Sequence, residues 1–461
     1  MIHFRPITLA DRALVERYTL TGAQQNCDLA FANIYCWRNH YRSEVAEVEG
    51  ALVIRFHIDG GEQIGYMQPL GVTDWGSLLT ALEADAAQWG QPLRLVGLDA
   101  ATRDELQALF PDRFAFDRSR AMADYIYRRE DLCLLRGKDY QPKRNHINRF
   151  RTTYPDACYE PLTTAHFDAC RQLEQAWCQQ HNGCRESSMQ TERTAMQEAF
   201  ANFEALGLQG GCLRIDGHIA AFTYGSAVNE QTFVIHVEKA DTRYEGVFAM
   251  INRSFAETLN SRFEWINREE DLGVMGLRKA KLSYYPAHLW EKYTAIALSE
   301  EARACRRLWE EAFPTDERTF IDRFLARYFK REQLLSISDN GELAAMAHLI
   351  PFQSEWGKVG YLYGVATDTS YRRQGLASKL LDEATQRAQE KGYTALMLIP
   401  GNDTLRQFYT ERGFEGAVPL QFILPDRFDF GTGDPEEDIA MWRFCGEQKP
   451  IPETLHCHYE K

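Results

Sequence analysis

The chain is 461 residues long and 44% hydrophobic, enough for ordinary cores in about three domains of ~150 residues each. Its formal net charge of −14 argues against a protein that coats nucleic acid, while leaving room for a local basic patch. No run of about 18 apolar residues occurs, and the N-terminal MIHFRPITLADR carries charges where a secretory signal needs an apolar stretch, so no membrane span is expected and the cytoplasm is the expected location.

A weak repeat predicts the organisation. Residues 4–11, 159–166 and 293–300 align without gaps, each reading as a short strand that runs into a helix. In the first copy Thr8 and Asp11 are spaced as a capping box. The intervals are about one domain long, which predicts an α/β (α+β) chain of three tandem units, residues 1–135, 136–295 and 296–461, each a mixed central sheet flanked by helices. In the first unit the alternation predicts strands at 44–48, 52–58, 63–68, 93–98, 114–116 and 124–128, with a helix at 75–89 and another from Thr102. The turn Gln68-Pro69-Leu70-Gly71-Val72-Thr73-Asp74 has no paired basic residues and no Gly-x-Ala at the helix start, so this unit reads as a scaffold without a cofactor.

Residues 137–151 form a basic helix that reads either as a solvated linker or as a track for a phosphate backbone. Further on, Asn267 and Arg268 end a predicted strand, acidic Glu269, Glu270 and Asp271 follow, and Arg278, Lys279 and Lys281 close the segment. Charges of both signs at a strand end suit a ligand site, the carboxylates for an amine and the basic groups for a phosphate or carboxylate; a salt-bridged loop is the alternative. Asn267, Arg268, Asp271, Arg278, Lys279 and Lys281 are therefore second-site candidates. Between these stretches, Glu245 beside Gly246 would repel a pyrophosphate, so coenzyme A is not expected here. Lys143-Arg144-Asn145-His146-Ile147-Asn148-Arg149-Phe150 and residues 267–286 are similar to a bacterial family related to the C-terminal catalytic domain of phosphatidylglycerol lysyltransferase. The resemblance covers about residues 1–295. It implies paired folds that take an aminoacyl group from transfer RNA, with weak transfer RNA binding by residues 136–295.

In the last unit, strands at 333–338 and 343–351 precede residues 361–381, which read as a buried strand, a polar turn and an amphipathic helix. The turn, Arg372-Arg373-Gln374-Gly375-Leu376-Ala377, is an anion seat: free N–H groups at a helix start with two arginines beside them. Arg372, Gly375 and Ala377 fill the acyl-coenzyme-A loop pattern of the GNAT acetyltransferases, and Asn402, Tyr409, Gly413 and Phe414 resemble that family's second signature. The resemblance implies three GNAT-like units, with the third an acetyl-CoA-dependent N-acetyltransferase on a small primary amine or aminoacyl group. Cofactor contacts would come from Val365, Ala366, Thr367, Arg372, Arg373, Gln374, Gly375, Leu376, Ala377, Ser378 and Asn402, the last holding either the pantetheine arm or the helix start.

Tyr409 would be the general acid, and His348, Glu355, Tyr363 or an ordered water the base. Direct attack in a ternary complex is expected, because no cysteine lies in the motif. An aminoacyl-tRNA-dependent transferase run by residues 136–295 and a non-catalytic acyl-CoA sensor are the alternatives. A polar loop is predicted at 426–438. The chain's 11 cysteines include no Cys-x-x-Cys, and His456-Cys457-His458 stands without a second cluster, so no metal is expected.

Overall fold

The computed structural model describes residues 2–180, 187–424, 428–431 and 436–459; residues 426, 427 and 432–435 of the predicted 426–438 loop lie outside them. The chain divides into two compact units, Met1–Ala297 and Leu298–Lys461. Three seven-stranded mixed sheets flanked by helices make up the fold, two in the first unit and one in the second. Among the described residues no helix is long and apolar enough to cross a membrane.

Fourteen strands build the first unit: β1 (Arg5–Pro6), β2 (Glu44–Val48), β3 (Ala51–His57), β4 (Ile64–Met67), β5 (Arg94–Leu98), β6 (Phe114–Arg118), β7 (Asp124–Arg128), β8 (Cys158–Pro161), β9 (Gln209–Ile215), β10 (His218–Ala227), β11 (Thr232–Ala240), β12 (Trp265–Asn267), β13 (His288–Trp290) and β14 (Tyr293–Ala297). The first sheet runs β1-β2-β3-β4-β5-β14-β6 and the second β13-β7-β12-β11-β10-β9-β8. Two expected placements are corrected by this order. Strand β7, expected with the first sheet, pairs antiparallel with β12 (Ile266 opposite Tyr127), and β14, expected to open the last unit, lies between β5 and β6 with Ala295 opposite Leu95 and Phe116.

The local pattern was right in both cases; the partner was not. Tyr293 and Ala295 alternate into a core with Leu95, Leu98 and Phe114, an apolar face that no nearby sequence advertises. The turns of the repeat do form as capping devices: the Thr8 N–H and hydroxyl donate to Asp11 at 2.8 and 2.9 Å, and the Thr163 N–H donates to His166 at 3.0 Å. A single hydrophobic cluster joins Val15, Phe31, Ile34 and Leu52 to Phe200, Phe222, Tyr224 and Val234, so the two sheets share a core.

The second unit has one sheet, ordered β15 (Leu334–Asp339), β16 (Glu342–Ser354), β17 (Gly357–Thr367), β18 (Ala395–Leu398), β20 (Ile439–Phe444), β19 (Glu415–Ile423) and β21 (Leu455–Tyr459). The helix Leu376–Glu390 packs Leu380, Leu381, Ala384 and Ala388 against Leu335, Ala347, Leu349 and Leu362 on one face. Aromatic contacts join Trp309 and Phe324, from the helices Glu300–Ala312 and Arg318–Arg327, to His348 and Tyr363. Strands β17 and β18 run parallel but pair only from Val359 to Tyr361; beyond Tyr361 they have no ladder between them.

Candidate active site

The site grows from a fault in β17. Met346 faces Ala366 but His348 faces Tyr363, so three steps of β17 answer two of β16 and one extra residue bulges out near Gly364. Gly364 has φ +60, and a Cβ there would lie 3.3 Å from the Trp309 ring, so glycine serves both the conformation and the space. The bulge falls just where β17 parts from β18, leaving the backbone of Val365, Ala366 and Thr367 without a β18 partner.

The chain then turns into a cradle. Asp368 accepts the Ser370 N–H at 2.8 Å, Arg373 (φ 63) and Gly375 (φ 76) are both left-handed, and the helix starts at Leu376. Among the described residues the N–H groups of Gln374, Gly375, Leu376 and Ala377 have no acceptor. Nothing lies within 4 Å of a Cβ built on Gly375, so the space above these donors is open. Arg372 and Arg373 are exposed beside it, with Arg372 Nε 3.3 Å from Thr367 O. Converging N–H groups at the positive end of a helix, flanked by two guanidinium groups, suit a pyrophosphate. The Ser378 hydroxyl is already engaged elsewhere, accepting from Arg412 Nε at 2.8 Å.

Asn402 holds the helix start, accepting the Leu405 N–H at 2.9 Å as the N-cap of Asp403–Thr410. That helix carries Tyr409, buried in the same hydrophobic cluster as Leu380 and Leu381 and packed on Phe408 and Phe414. Burial pushes its phenol up to about 12, and among the described residues its hydroxyl has no hydrogen-bond partner. A phenol that keeps its proton at neutral pH is suited to give it to a strongly basic leaving group.

The three side-chain candidates for the base fare differently. Glu355 sits in the turn between β16 and β17, ten residues before Val365, roughly 30 Å along an extended strand. There it accepts from His456 Nδ1 at 2.6 Å and from the His456 N–H at 3.0 Å, so Glu355 is corrected from candidate base to strand-end clamp. His348 faces Tyr363 beside the bulge. It is buried among Phe324, Phe329 and Trp309, its Nε2 has no hydrogen-bond partner among the described residues, and burial lowers it to about 3. Tyr363 is half-buried, and burial together with Asp316 and Asp429 raises its phenol, which leaves it a donor rather than a base.

In the first unit the second-site candidates are brought together, but on one another. Asp271 is fully buried and accepts two hydrogen bonds from Arg278 (2.8 and 2.9 Å), one each from Tyr125 (2.6 Å) and Arg120 (3.2 Å), and one from the Gly273 N–H (2.8 Å). Burial alone would raise its pKa; these donors outweigh that and hold the carboxyl well below its usual range. Arg268 pairs with Glu238 at 2.9 Å, Lys281 Nζ donates to the carbonyls of Arg268 and Glu270, and Asn267 donates to Asp124 at 2.8 Å. Only Lys279 among the six points to solvent.

Sequence reasoning missed a neighbouring cluster. Lys292, from the link between β13 and β14, places Nζ 2.8 Å from Asp124, 2.9 Å from Asp28, 3.7 Å from Glu270 and 3.4 Å from Cys27 Sγ. Cys27 Sγ and carboxylate oxygens of Asp124 and Glu270 lie within 4.8 Å of one another, and the Lys292 ammonium contacts all three. Burial works against its charge, yet the carboxylates raise Lys292 well above its ordinary value. These groups are far apart in sequence and meet only through sheet topology, so no spacing announces them.

Comparisons with known proteins agree with this division. Residues 21–296 match the family model described as phosphatidylglycerol lysyltransferase, C-terminal, and residues 295–417 match the acetyltransferase (GNAT) domain. A solved conserved protein of unknown function from Bacteroides thetaiotaomicron is 46% identical, covering 65% of this chain and 100% of its own, with a TM-score of 0.63. An uncharacterized protein of Mycoplasmoides gallisepticum is 26% identical over 178 residues, 37% of this chain and 54% of that protein, so the chain spans about half the length of this relative. The [ribosomal protein bS18]-alanine N-acetyltransferase of Escherichia coli K12 is 28% identical over 132 residues, 28% of this chain and 80% of that enzyme. The chain thus belongs, through residues 21–296, to the phosphatidylglycerol lysyltransferase C-terminal family, and it carries a GNAT acetyltransferase domain behind them.

Proposed function

We propose that Leu298–Lys461 transfers the acetyl group of acetyl-CoA to a primary amine, in the cytoplasm. The observation that carries this reading is the bulge at Gly364 where β17 leaves β18, followed directly by the open cradle of unpaired N–H groups at 374–377. Acetyl-CoA, when bound, supplies a thioester. The cradle and Arg372 and Arg373 would hold its pyrophosphate, and an N–H of the Val365–Thr367 segment, on the side that β18 leaves uncovered, would polarise the acyl carbonyl. Tyr409 keeps a proton for the sulfur. With Glu355 removed, His348 weakly basic and Tyr363 a donor, an ordered water is the base we favour. No cysteine lies between Cys305 and Cys445, which supports direct attack over an acyl-cysteine intermediate.

For the acceptor, we infer an α-amine of an aminoacyl or peptide group, or a small primary amine; the similarity to an enzyme named for acetylating an alanine of a ribosomal protein supports the first. A screen of amines, amino acids and short peptides for thiol release from acetyl-CoA tests this. Turnover with at least one amine is expected. Tight binding of acetyl-CoA with no release above hydrolysis in any case would make the unit a sensor.

For residues 21–296, the family match supports a second reading, aminoacyl transfer with transfer RNA as donor. The helix Gln141–Thr153 leaves His146, Arg149 and Arg151 exposed, while Lys143 is tied to Ser283 Oγ at 2.7 Å.

A further inference from the structure

The first unit holds another constellation, assembled from three strands. Ser226 lies on β10, His236 on β11 and Glu269 just past β12. The ladder between β10 and β11 slips: Tyr224 faces Val237 and Gly225 faces Ile235, which leaves His236 as the extra residue of a bulge. Any side chain at position 225 would collide with the Val234 carbonyl, so the approach needs glycine. The bulge brings the His236 ring to Ser226, with Nε2 2.8 Å from Ser226 Oγ, and Nδ1 2.9 Å from Glu269 Oε1. Glu269 is fixed in turn. Its N–H donates to Asn267 Oδ1 at 2.6 Å, and its φ of +57 is strained for a residue with a side chain.

A buried hydroxyl in a sheet does not need an imidazole. Thr223, three residues earlier on the same strand, is satisfied by the Val237 carbonyl at 2.8 Å. Ser226 instead meets a ring nitrogen whose other nitrogen is backed by a carboxyl group, the order of nucleophile, base and orienting acid. We propose that Ser226, His236 and Glu269 form a nucleophilic centre that takes an acyl group from an oxygen ester, separate from the acyl-CoA cradle. In the step, Ser226 Oγ bonds to the ester carbonyl carbon while its proton passes to His236 Nε2. The ester C–O bond breaks and that proton leaves with the alkoxide as an alcohol. Water or an amine then takes the acyl group from Ser226 and restores the hydroxyl. Beside the centre, the three carboxylates of Asp28, Asp124 and Glu270 outnumber the two ammonium groups near them, Lys292 and Lys281. This excess of negative charge favours neutral or cationic acyl groups over anionic ones.

The charged groups facing Glu269 set the pH response. Burial and Glu270 raise its affinity for a proton, with Asp124 adding and Lys281 and Lys292 opposing, while burial lowers His236 to about 4. At lower pH the proton therefore stays on the carboxyl side and the ring offers N–H to Ser226. Losing it gives the ring a lone pair toward the serine.

The test uses a fluorophosphonate on the full-length protein, with peptide mapping by mass spectrometry. An adduct on Ser226 is expected, with fluoride displaced, forming faster as pH rises and slowed at least about tenfold by His236→Gln. No Ser226 adduct in the unaltered protein anywhere between roughly pH 6 and 9 overturns the proposal. So does an adduct that His236→Gln slows by less than about tenfold, which would leave the network a structural one.

Discussion

Arg278 grips Asp271 through two hydrogen bonds, 2.8 and 2.9 Å long, and the carboxylate between them is wholly buried. A carboxylate so fully engaged, by Arg120, Tyr125 and the Gly273 N–H as well, acts on the fold first. Arg278→Ala strips a buried carboxylate of two donors while Arg120, Tyr125 and Gly273 keep theirs, and a measurable loss of stability is expected in denaturant titration. Asp271's lowered pKa gives a contribution present above its ordinary 3.8 and lost as pH falls below it, so acid unfolding of the variant should be flatter in that range. Wild-type stability in the variant would return Arg278 to the candidate ligand groups.

Transfer RNA binding, if the first unit has it, then rests on exposed groups such as Lys279, Arg149 and Arg151. Weak binding that falls steeply between low and physiological salt is expected, weakened further by Lys279→Ala with Arg151→Ala and unaccompanied by any loss of stability. Filter binding across a salt series measures it; absence of binding even at low salt would remove transfer RNA as the donor.

Tyr409→Phe keeps the ring against Phe408 and Phe414 and removes only the proton. Turnover should fall by roughly 10²-fold or more with little change in acetyl-CoA affinity. Equal turnover would mean that the thiolate leaves without help from this phenol.

His348 makes a pH prediction. Its folded value of about 3 lies below the ordinary 6.5, so an unfolded chain binds a proton there that the folded one refuses. Stability supplied by the neutral ring is full above 6.5 and is lost as pH falls toward 3, at up to about 1.4 kcal/mol per pH unit. Calorimetry of His348→Phe should show a weaker acid dependence over that range; an unchanged slope would mean that the ring is protonated or wetted in the fold.

What the sequence disclosed follows the range of each interaction. The cradle was legible because its parts are neighbours: Gly375 must be left-handed, Arg372 precedes it by three residues and the amphipathic helix follows at once. The N-cap role of Asn402 and the turn at Thr8 and Asp11 were legible for the same reason. Glu355 was misjudged because a strand's residue types do not say where its hairpin turns back, and that turn carries Glu355 to the far end. Strand β14 was misplaced because its pairing with β5 is set by a face nearly two hundred residues away. Lys292 meets Asp28 and Asp124, and Ser226 meets His236 and Glu269, only once strands distant in sequence are paired; a bulge beside Gly225 was the one local hint.

The central claim is that the loop at Gly375 seats an acyl-CoA for amine acetylation. Isothermal titration of acetyl-CoA into the full-length protein and its Gly375→Glu variant tests it most directly, because the variant sets a side chain and a negative charge in open space over the N–H groups. Saturable binding by the wild type, lost in a variant that still unfolds cooperatively, is the predicted result; equal binding by both would contradict it.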